Sequence, residues 1–218
     1  MEKIPVILDG DPGHDDAIAW VYAKACGAFD IRAVTSVAGN QTIEKVTLNA
    51  QRICALTGIQ APIAEGAHQP LLCAYVSGSN FHGESGLDGP ALPKPDRPLD
   101  QRTAVELMAD VLRESGRPVT IIATGPQTNT AALLRTHPEL KHKIAQIAIM
   151  GGGIRSGNWT PAAEYNIFED PEAAQIVFES GLPILMAGLD VTERALVYPE
   201  DQKKFAAVDN QVGHIVAG

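Results

Sequence analysis

PVILDGDPGHDDAIAWVYAKACG, residues 5–27, decides the fold. Its first part, Pro5 to Asp9, is a short apolar run of strand length that stops on an acidic turn. Pro12-Gly13 then breaks the chain, and a helical pattern follows in which Ile18, Val21, Tyr22 and Ala25 recur at i, i+3, i+4 and i+7. That stripe predicts a helix burying these four residues, with Gly27 as the residue past its end. A strand, a tight acidic turn and a helix form the first half of a β-α-β unit.

Outward from this stretch the same step repeats. Ile31 to Val37 reads as a second strand, and Thr42 caps a helix burying Ile43, Val46, Ala50 and Ile53, which Gly58 stops before a short strand near Pro62 to Ala64. A capping box, Thr103 with Glu106, opens a helix burying Ala104, Leu107, Met108, Val111 and Leu112 and closing at Gly116. Val119 to Ala123 is the next strand, and the helix from about Thr128 stops before Pro138. Ile144 to Met150 runs as a strand into Gly151-Gly152-Gly153. Asp170-Pro171-Glu172 starts a helix with a cap, an N1 proline and a first-turn acid; it ends at Gly181, and Pro183 to Ala187 is the sixth strand.

Repeated β-α steps with short turns predict a single α/β domain over residues 1–218: a mostly parallel, Rossmann-like central sheet with helices on both faces. Ligands of such folds bind outside the carboxyl ends of the strands, which confines the chemistry to residues 9–16, 38–42, 124–129, 150–166 and 188–192. One segment breaks the rhythm. Residues 66–101 carry Gly83, Gly86, Gly89, Pro90, Pro93, Pro95 and Pro98 without periodicity, and a connection this long inside a domain reads as an active-site loop.

Composition narrows the partners. Seventeen basic against 26 acidic residues give a formal charge of -9, so nucleic acid and anionic membrane surfaces are excluded in favour of a small neutral ligand or a cation. Cys26, Cys54 and Cys73 are odd in number and lack C-x-x-C spacing, which excludes a disulfide framework or zinc site and predicts buried free thiols. No signal peptide or membrane span is legible, so a cytoplasmic location is expected.

Asp9, Asp11, Asp15 and Asp16 put four carboxylates within eight residues at the end of the first strand. Charges this close raise one another's pKa unless something positive lies among them. A helix start at His14 supplies part of that, worth roughly 0.3–1 kcal/mol per carboxylate. With no cysteine near and only His14 to offer nitrogen, an all-oxygen site for calcium or magnesium fits better. The plain alternative is that Asp15 and Asp16 decorate a helix start while Asp11 caps it. Asp-x-Asp after a first strand also opens the haloacid-dehalogenase-type phosphatases, but those continue with Thr or Ser, and here Pro12-Gly13-His14 follows.

The run Asp9-Gly10-Asp11-Pro12-Gly13-His14-Asp15-Asp16-Ala17 resembles the acidic fingerprint of the inosine-uridine nucleoside hydrolase family. Val37-Ala38-Gly39-Asn40-Gln41-Thr42, His82 through Gly89, Met150-Gly151-Gly152-Gly153, and Gly157-Asn158 through Glu164-Tyr165-Asn166 to Ala174 resemble the same family in the same order. The resemblance implies hydrolysis of the N-glycosidic bond of ribonucleosides, with Ca2+ bound by Asp11, Asp16 and the main-chain oxygen of Thr124. It further implies that Asp11 is the general base and that Asp15, Asn40, Met150, Asn158, Glu164 and Asn166 hold the ribose. His82, in the long loop, resembles a catalytic histidine of the pyrimidine-preferring members, and His14 is similar to the same subgroup.

The chemistry is coherent with these residue types. Breaking a ribosyl C–N bond builds an oxocarbenium-like sugar, which calls for negative groups near the ring and a held water on the opposite face. Taken alone, Asn40 beside Gly39 and Asn158 beside Gly157 are ordinary turn residues, and Glu164 and Asn166 are ordinary loop residues. Family members continue past residue 218 into a segment bearing a histidine-aspartate pair that these residues lack, so a C-terminally incomplete domain is expected. An active hydrolase working as a homo-oligomer, dimer or tetramer, is the first reading; a nucleoside-binding remnant without turnover is the second.

Overall fold

Val6, Ile7 and Leu8 at the centre of β1 (Ile4–Gly10) are fully buried, and this strand is the axis of the molecule. The apolar run has no polar alternation because a parallel strand at the middle of an α/β sheet is covered on both faces. The structure, a computed structural model, describes residues 2–89 and 91–218, apart from the side chains of Ser79 and Asn80. Pro90, counted above among the loop prolines, lies outside the described residues.

β2 (Phe29–Ser36), β3 (Ile63–Ala64), β4 (Val119–Ala123), β5 (Ile144–Met150) and β6 (Ile184–Ala187) complete a parallel six-stranded sheet in the order β3-β2-β1-β4-β5-β6. Leu8 pairs with Val34 on one side and with Ile122 on the other. The strand order therefore reverses between β1 and β4, and the loops leaving these two strands diverge to open a crevice there.

α1 (His14–Ala25) and α2 (Ile43–Thr57) cover one face, where Trp20 and Ile53 pack with Val6, Leu8 and Val34. The one-turn α3 (Ser79–His82) lies in the long loop, ahead of α4 (Ala104–Glu114) and α5 (Thr128–Thr136). α6 (Tyr165–Glu169) and α7 (Pro171–Phe178) follow β5, with α8 (Leu189–Thr192), α9 (Pro199–Ala206) and α10 (Gln211–Ala217) after β6. The second face belongs to α4, α5 and α7, whose Leu107, Met108, Leu133 and Val177 pack with Ile7, Ile121 and Ile147. Ile7 and its neighbours Val6 and Leu8 serve opposite faces, as the two-residue repeat of a strand requires.

Several sequence expectations are corrected. The stripe of α1 that faces the sheet is Asp16, Trp20 and Ala23, whereas Ile18 is 38% and Tyr22 68% exposed. The apolar stripe is real but turned away from the sheet: Ile18, Val21 and Tyr22 line a groove of about 580 Å³ with Phe205, Val212 and Val216 of the last two helices and Val208 between them. β2 begins at Phe29, two residues early, and α4 ends at Glu114 with Ser115 as its cap, before Gly116. Cys54 is buried as expected, but Cys26 caps the exposed end of α1 and Cys73 lies exposed in the long loop. Among the described residues, no helix is long and apolar enough to cross a membrane.

The long loop is tied to this frame by one carboxylate. Asp170 Oδ1 caps α7 by accepting from Ala173 N–H (3.0 Å), and Oδ2 accepts from Leu71 N–H (2.9 Å) and from the Thr128 hydroxyl of α5 (2.6 Å). The residue is wholly buried, so deleting its carboxylate strands the buried donors of Thr128 and Ala173 and releases Leu71. We predict that Asp170→Ala costs about 2–3 kcal/mol in urea unfolding, above the range of an ordinary helix cap. A change under about 0.5 kcal/mol would show that water replaces the carboxylate there.

Candidate active site

The strand ends at the crevice bring three buried carboxylates together. Asp9, the last side chain but one of β1, accepts from the Thr35 hydroxyl (2.7 Å) and Asn129 Nδ2 (2.8 Å) through Oδ1. Asp11, in the turn, accepts from Asn40 N–H (2.7 Å) through Oδ2, and its own carbonyl accepts from Asn40 Nδ2 (3.0 Å). Asp16, in the first turn of α1, accepts from Gly13 N–H (3.2 Å) and from the Thr124 hydroxyl. Every one of these donors is neutral.

The electrostatic consequence is large. Burial pushes the Asp9 carboxyl up to about 6. Burial, together with the charge of Asp15, pushes Asp16 up to about 8. Asp11 is raised well above the usual carboxylate range by burial first and then by the charges of Asp16 and Asp15. Among the described residues, Asp11 Oδ1 is buried with no hydrogen-bond partner. Asp11, Asp16 and the Thr124 carbonyl are all oxygen donors, the set a hard cation takes, and the unpartnered Oδ1 is the atom such an ion would satisfy. No cluster of three or more His, Cys, Asp or Glu side chains suited to a metal is present among the described residues.

Glycine makes room for the Asp11 carboxylate. A Cβ on Gly125 would lie 2.5 Å from Oδ1, and one on Gly39 would lie 2.2 Å from Oδ2. The carboxylate is thus clamped between two backbone segments, the turn after β4 and the turn after β2.

Above it is a pocket of about 280 Å³ lined by Asp15, Asn40, His82, Thr124, Met150, Asn158, Glu164 and Asn166, together with Phe81, Trp159 and Tyr165. Every residue singled out in the sequence for the ribose thus reaches one cavity, with Asp11 and Asp16 buried behind it. Glu164 and Asn166, which look like loop residues in the sequence, are buried. Glu164 caps α6 and accepts from Gly152 N–H (2.9 Å) and Ile167 N–H (3.2 Å). Asn166 Nδ2 donates to the carbonyls of Thr124 (3.0 Å) and Met150 (3.2 Å), which joins α6 to the ends of β4 and β5. Asn158 Oδ1 accepts from Tyr165 N–H (2.9 Å), so it acts as more than a turn residue.

His82, from the one-turn helix of the long loop, lies 3.0 Å from His14 through facing Nδ1 atoms, and its Nε2 is 3.7 Å from Asp15 Oδ1. His14 Nε2 lies 2.7 Å from the Asp88 carbonyl, and His82 Nδ1 faces both His14 Nδ1 and the His14 main-chain N–H (3.4 Å), so the two imidazoles are held together through the start of α1. Burial holds the His82 pKa below its ordinary value, against the pull of Asp15.

Sequence reasoning missed the aromatic wall. Trp159 contacts Tyr165 (ring centroids 5.1 Å), Phe168 (5.8 Å) and Phe81 (6.1 Å). Phe81 and Trp159 sit in segments without periodicity, and the one available signal was an aromatic residue at each end of a Gly-rich stretch.

A doubly wound sheet with buried acids under a small pocket at its reversal point places a small-ligand site where such folds bind their ligands. Residues 6–218 match the family described as inosine-uridine preferring nucleoside hydrolase. The chain belongs to that family, and it is a nucleoside hydrolase. It is 57% identical over 215 residues to the pyrimidine-specific ribonucleoside hydrolase RihA of Escherichia coli strain K12, covering 98% of this chain and 69% of that protein. Among solved structures it is similar to the purine-preferring ribonucleoside hydrolase from Gardnerella vaginalis, with TM-score 0.92, 32% identity and coverage of 98% of this chain and 69% of that one. A plant nucleoside hydrolase matches with TM-score 0.90 and 33% identity, over 99% of this chain and 69% of that chain.

The clamp around Asp11 yields a direct expectation. Gly125→Ala should push the carboxylate aside and lower kcat about 100-fold, the scale of a misplacement near 1 Å, while overpacking costs only about 1–3 kcal/mol of stability. Steady-state kinetics beside urea unfolding would check it; a fully active Gly125→Ala enzyme would mean that the Asp11 position is not critical.

Proposed function

We propose that this hydrolase cleaves pyrimidine ribonucleosides to ribose and free base with Ca2+ held by Asp11, Asp16 and the Thr124 carbonyl, and with Asp11 as the general base. The observation that carries the reading is the buried, unpartnered Oδ1 of Asp11 on a carboxylate whose other oxygen is fixed by Asn40 N–H. A carboxylate so held keeps one oxygen free for a cation and for a water proton. Calcium, when bound, supplies an electrophile that orients the ribose diol and the water and eases loss of the water's proton.

The chain's own residues do the rest. Asp11 takes the water proton as the water oxygen bonds to C1′, and the C1′–N bond breaks with its electron pair moving to the base nitrogen. Asp15, Asn40, Asn158, Glu164 and Asn166 offer the mixed acceptors and donors that ribose hydroxyls need, and Met150 supplies an apolar side of the same cavity. Asp15 and Glu164 place carboxyl oxygens in the cavity beside a ring that becomes positive. His82 stands at the mouth with its Nε2 beside Asp15, where it can protonate the departing base or hydrogen-bond to it. The His14–His82 pair and the 57% identity to a protein named pyrimidine-specific support the base preference.

A cytoplasmic homo-oligomer belongs to the same reading. It is supported by the edge strand β6, where Leu185 is 61% exposed at the end of the sheet.

The test is base release from uridine and inosine in calcium and in a chelator. Faster turnover of uridine, lost on chelation and restored by calcium, is expected; turnover indifferent to chelation removes the metal, and faster turnover of inosine removes the pyrimidine preference. His82→Ala should lower turnover of uridine at least tenfold more than that of a nitrophenyl riboside, whose leaving group needs no proton. Equal losses would limit His82 to positioning the substrate.

A further inference from the structure

Glu169, at the end of α6, is a buried acid with no part in the chemistry above. Its Oε1 accepts from Val76 N–H (3.0 Å), across 93 residues of sequence, and its Oε2 is buried with no partner among the described residues. Val76 belongs to the arm Tyr75–His82, which carries Phe81 and His82 to the pocket. Four further contacts converge where this arm crosses the turn after β2. The Tyr165 hydroxyl lies 2.7 Å from the Gly39 carbonyl and 3.0 Å from that of Val76, and the Tyr75 hydroxyl donates to the Gly39 carbonyl (3.1 Å). Gly78 N–H reaches the same carbonyl at 3.3 Å. Gly39 in turn abuts Asp11, so the arm, α6 and the acidic turn form one contact network.

We propose that Glu169 is a positioning residue for nucleoside binding: its carboxyl group clamps the Val76 amide and so seats the Tyr75–His82 arm, with Phe81 and His82, against α6 at the mouth of the pocket. This rests on the nucleoside-binding reading of that pocket. The carboxyl holds the arm's main chain through an amide, whereas Tyr165 holds it through a carbonyl. Removing the carboxyl takes away the acceptor that holds the half-exposed Val76 amide against α6, and the arm replaces that bond with water by lifting.

The clamp is sensitive to pH because of its neighbours. Asp170 follows Glu169 in the chain, Tyr165 lies on the same helix, and Tyr75 and Cys73 face it from the loop, with Glu172 beside Cys73. Burial, reinforced by the charge of Asp170 and opposed by the Val76 bond, pushes the Glu169 carboxyl up to about 7. The seated arm therefore binds the proton more tightly than a lifted arm, in which the carboxyl returns to its ordinary value of about 4.3. Seating is complete at low pH and weakens as pH rises through 7.

The test compares Glu169→Gln with Glu169→Leu. Hydrogen exchange at the Val76 and Gly78 amides, referred to exchange in an unstructured peptide, is measured at pH 6 and pH 8 beside kcat and KM for uridine. The Leu variant should exchange at least tenfold faster at these amides and raise KM about tenfold with kcat within threefold of the parent. The Gln variant keeps the acceptor and should restore protection and KM, but it should lose the extra opening that the parent shows at pH 8. Unchanged Val76 exchange in the Leu variant, or a Gln variant that retains the parent's pH dependence, would overturn the proposal. If the Leu variant fails to fold, the parent-to-Gln comparison decides alone. Exchange needs no turnover, so a chain that releases no base from uridine refutes the functional reading without touching the exchange result.

Discussion

The carboxylates of Asp9, Asp11 and Asp16 are buried at the carboxyl end of the central strand with hydroxyls, amides and main-chain N–H groups as their hydrogen-bond donors among the described residues. Such a group can stay in a folded protein in two ways: it keeps a proton, or it meets a cation. The rest of the site is arranged around that demand. β1 must be central for its end to lie at the reversal of strand order, and the turns after β2 and β4 must be glycine where they pass Asp11. Asn40 and Thr124, on those turns, supply donors to the acids and also line the pocket.

From this centre the constraint spreads outward. Asn166 holds the Thr124 and Met150 carbonyls, and Tyr165 beside it holds the Gly39 carbonyl. Short α6 is thereby locked to three strand ends at once. Glu164 caps it at one end and Glu169 grips the loop at the other, so five residues of helix connect the sugar pocket to the arm carrying His82. Asp170, next in the chain, joins α7 and α5 to the same loop through Leu71. A loop of low regularity is therefore held by acids from a rigid element, which suits a segment that must admit and release a ligand.

Much of the architecture was legible because its signals are local. β4 and β5 run over the residues that their apolar runs indicate, and the Thr103–Glu106 capping box and the Asp170 cap form as read. The clustering of four aspartates was equally plain, and the pocket brings together the residues that the family resemblance pointed to. What failed needed tertiary context. The periodicity of α1 is ambiguous between two stripes, and Trp20 goes to the sheet while Ile18 and Tyr22 turn to α9 and α10 because a single helix can hold both an inner and an outer apolar contact. Phe81 meets Trp159 and Tyr165 only when segments 78 and 84 residues apart in sequence fold over one crevice, and no spacing rule reports that. Glu169 is invisible for the same reason: its partner is an amide on a distant loop.

The central claim is that the acidic turn is held under strain until a cation enters it. Carboxyls raised to about 6 at Asp9 and about 8 at Asp16 bind protons more tightly in the fold than in the unfolded chain, whose ordinary value is 3.8. Their stabilising protonation is complete below that value and is lost as pH rises through 6 to 8. The most direct measurement is the thermal unfolding midpoint between pH 5 and pH 9, in a chelator and in millimolar calcium. The account predicts a midpoint that falls steadily with pH in the chelator, and a calcium-induced rise that is largest at high pH and is abolished in Asp11→Asn. A midpoint insensitive to calcium across this range would contradict it.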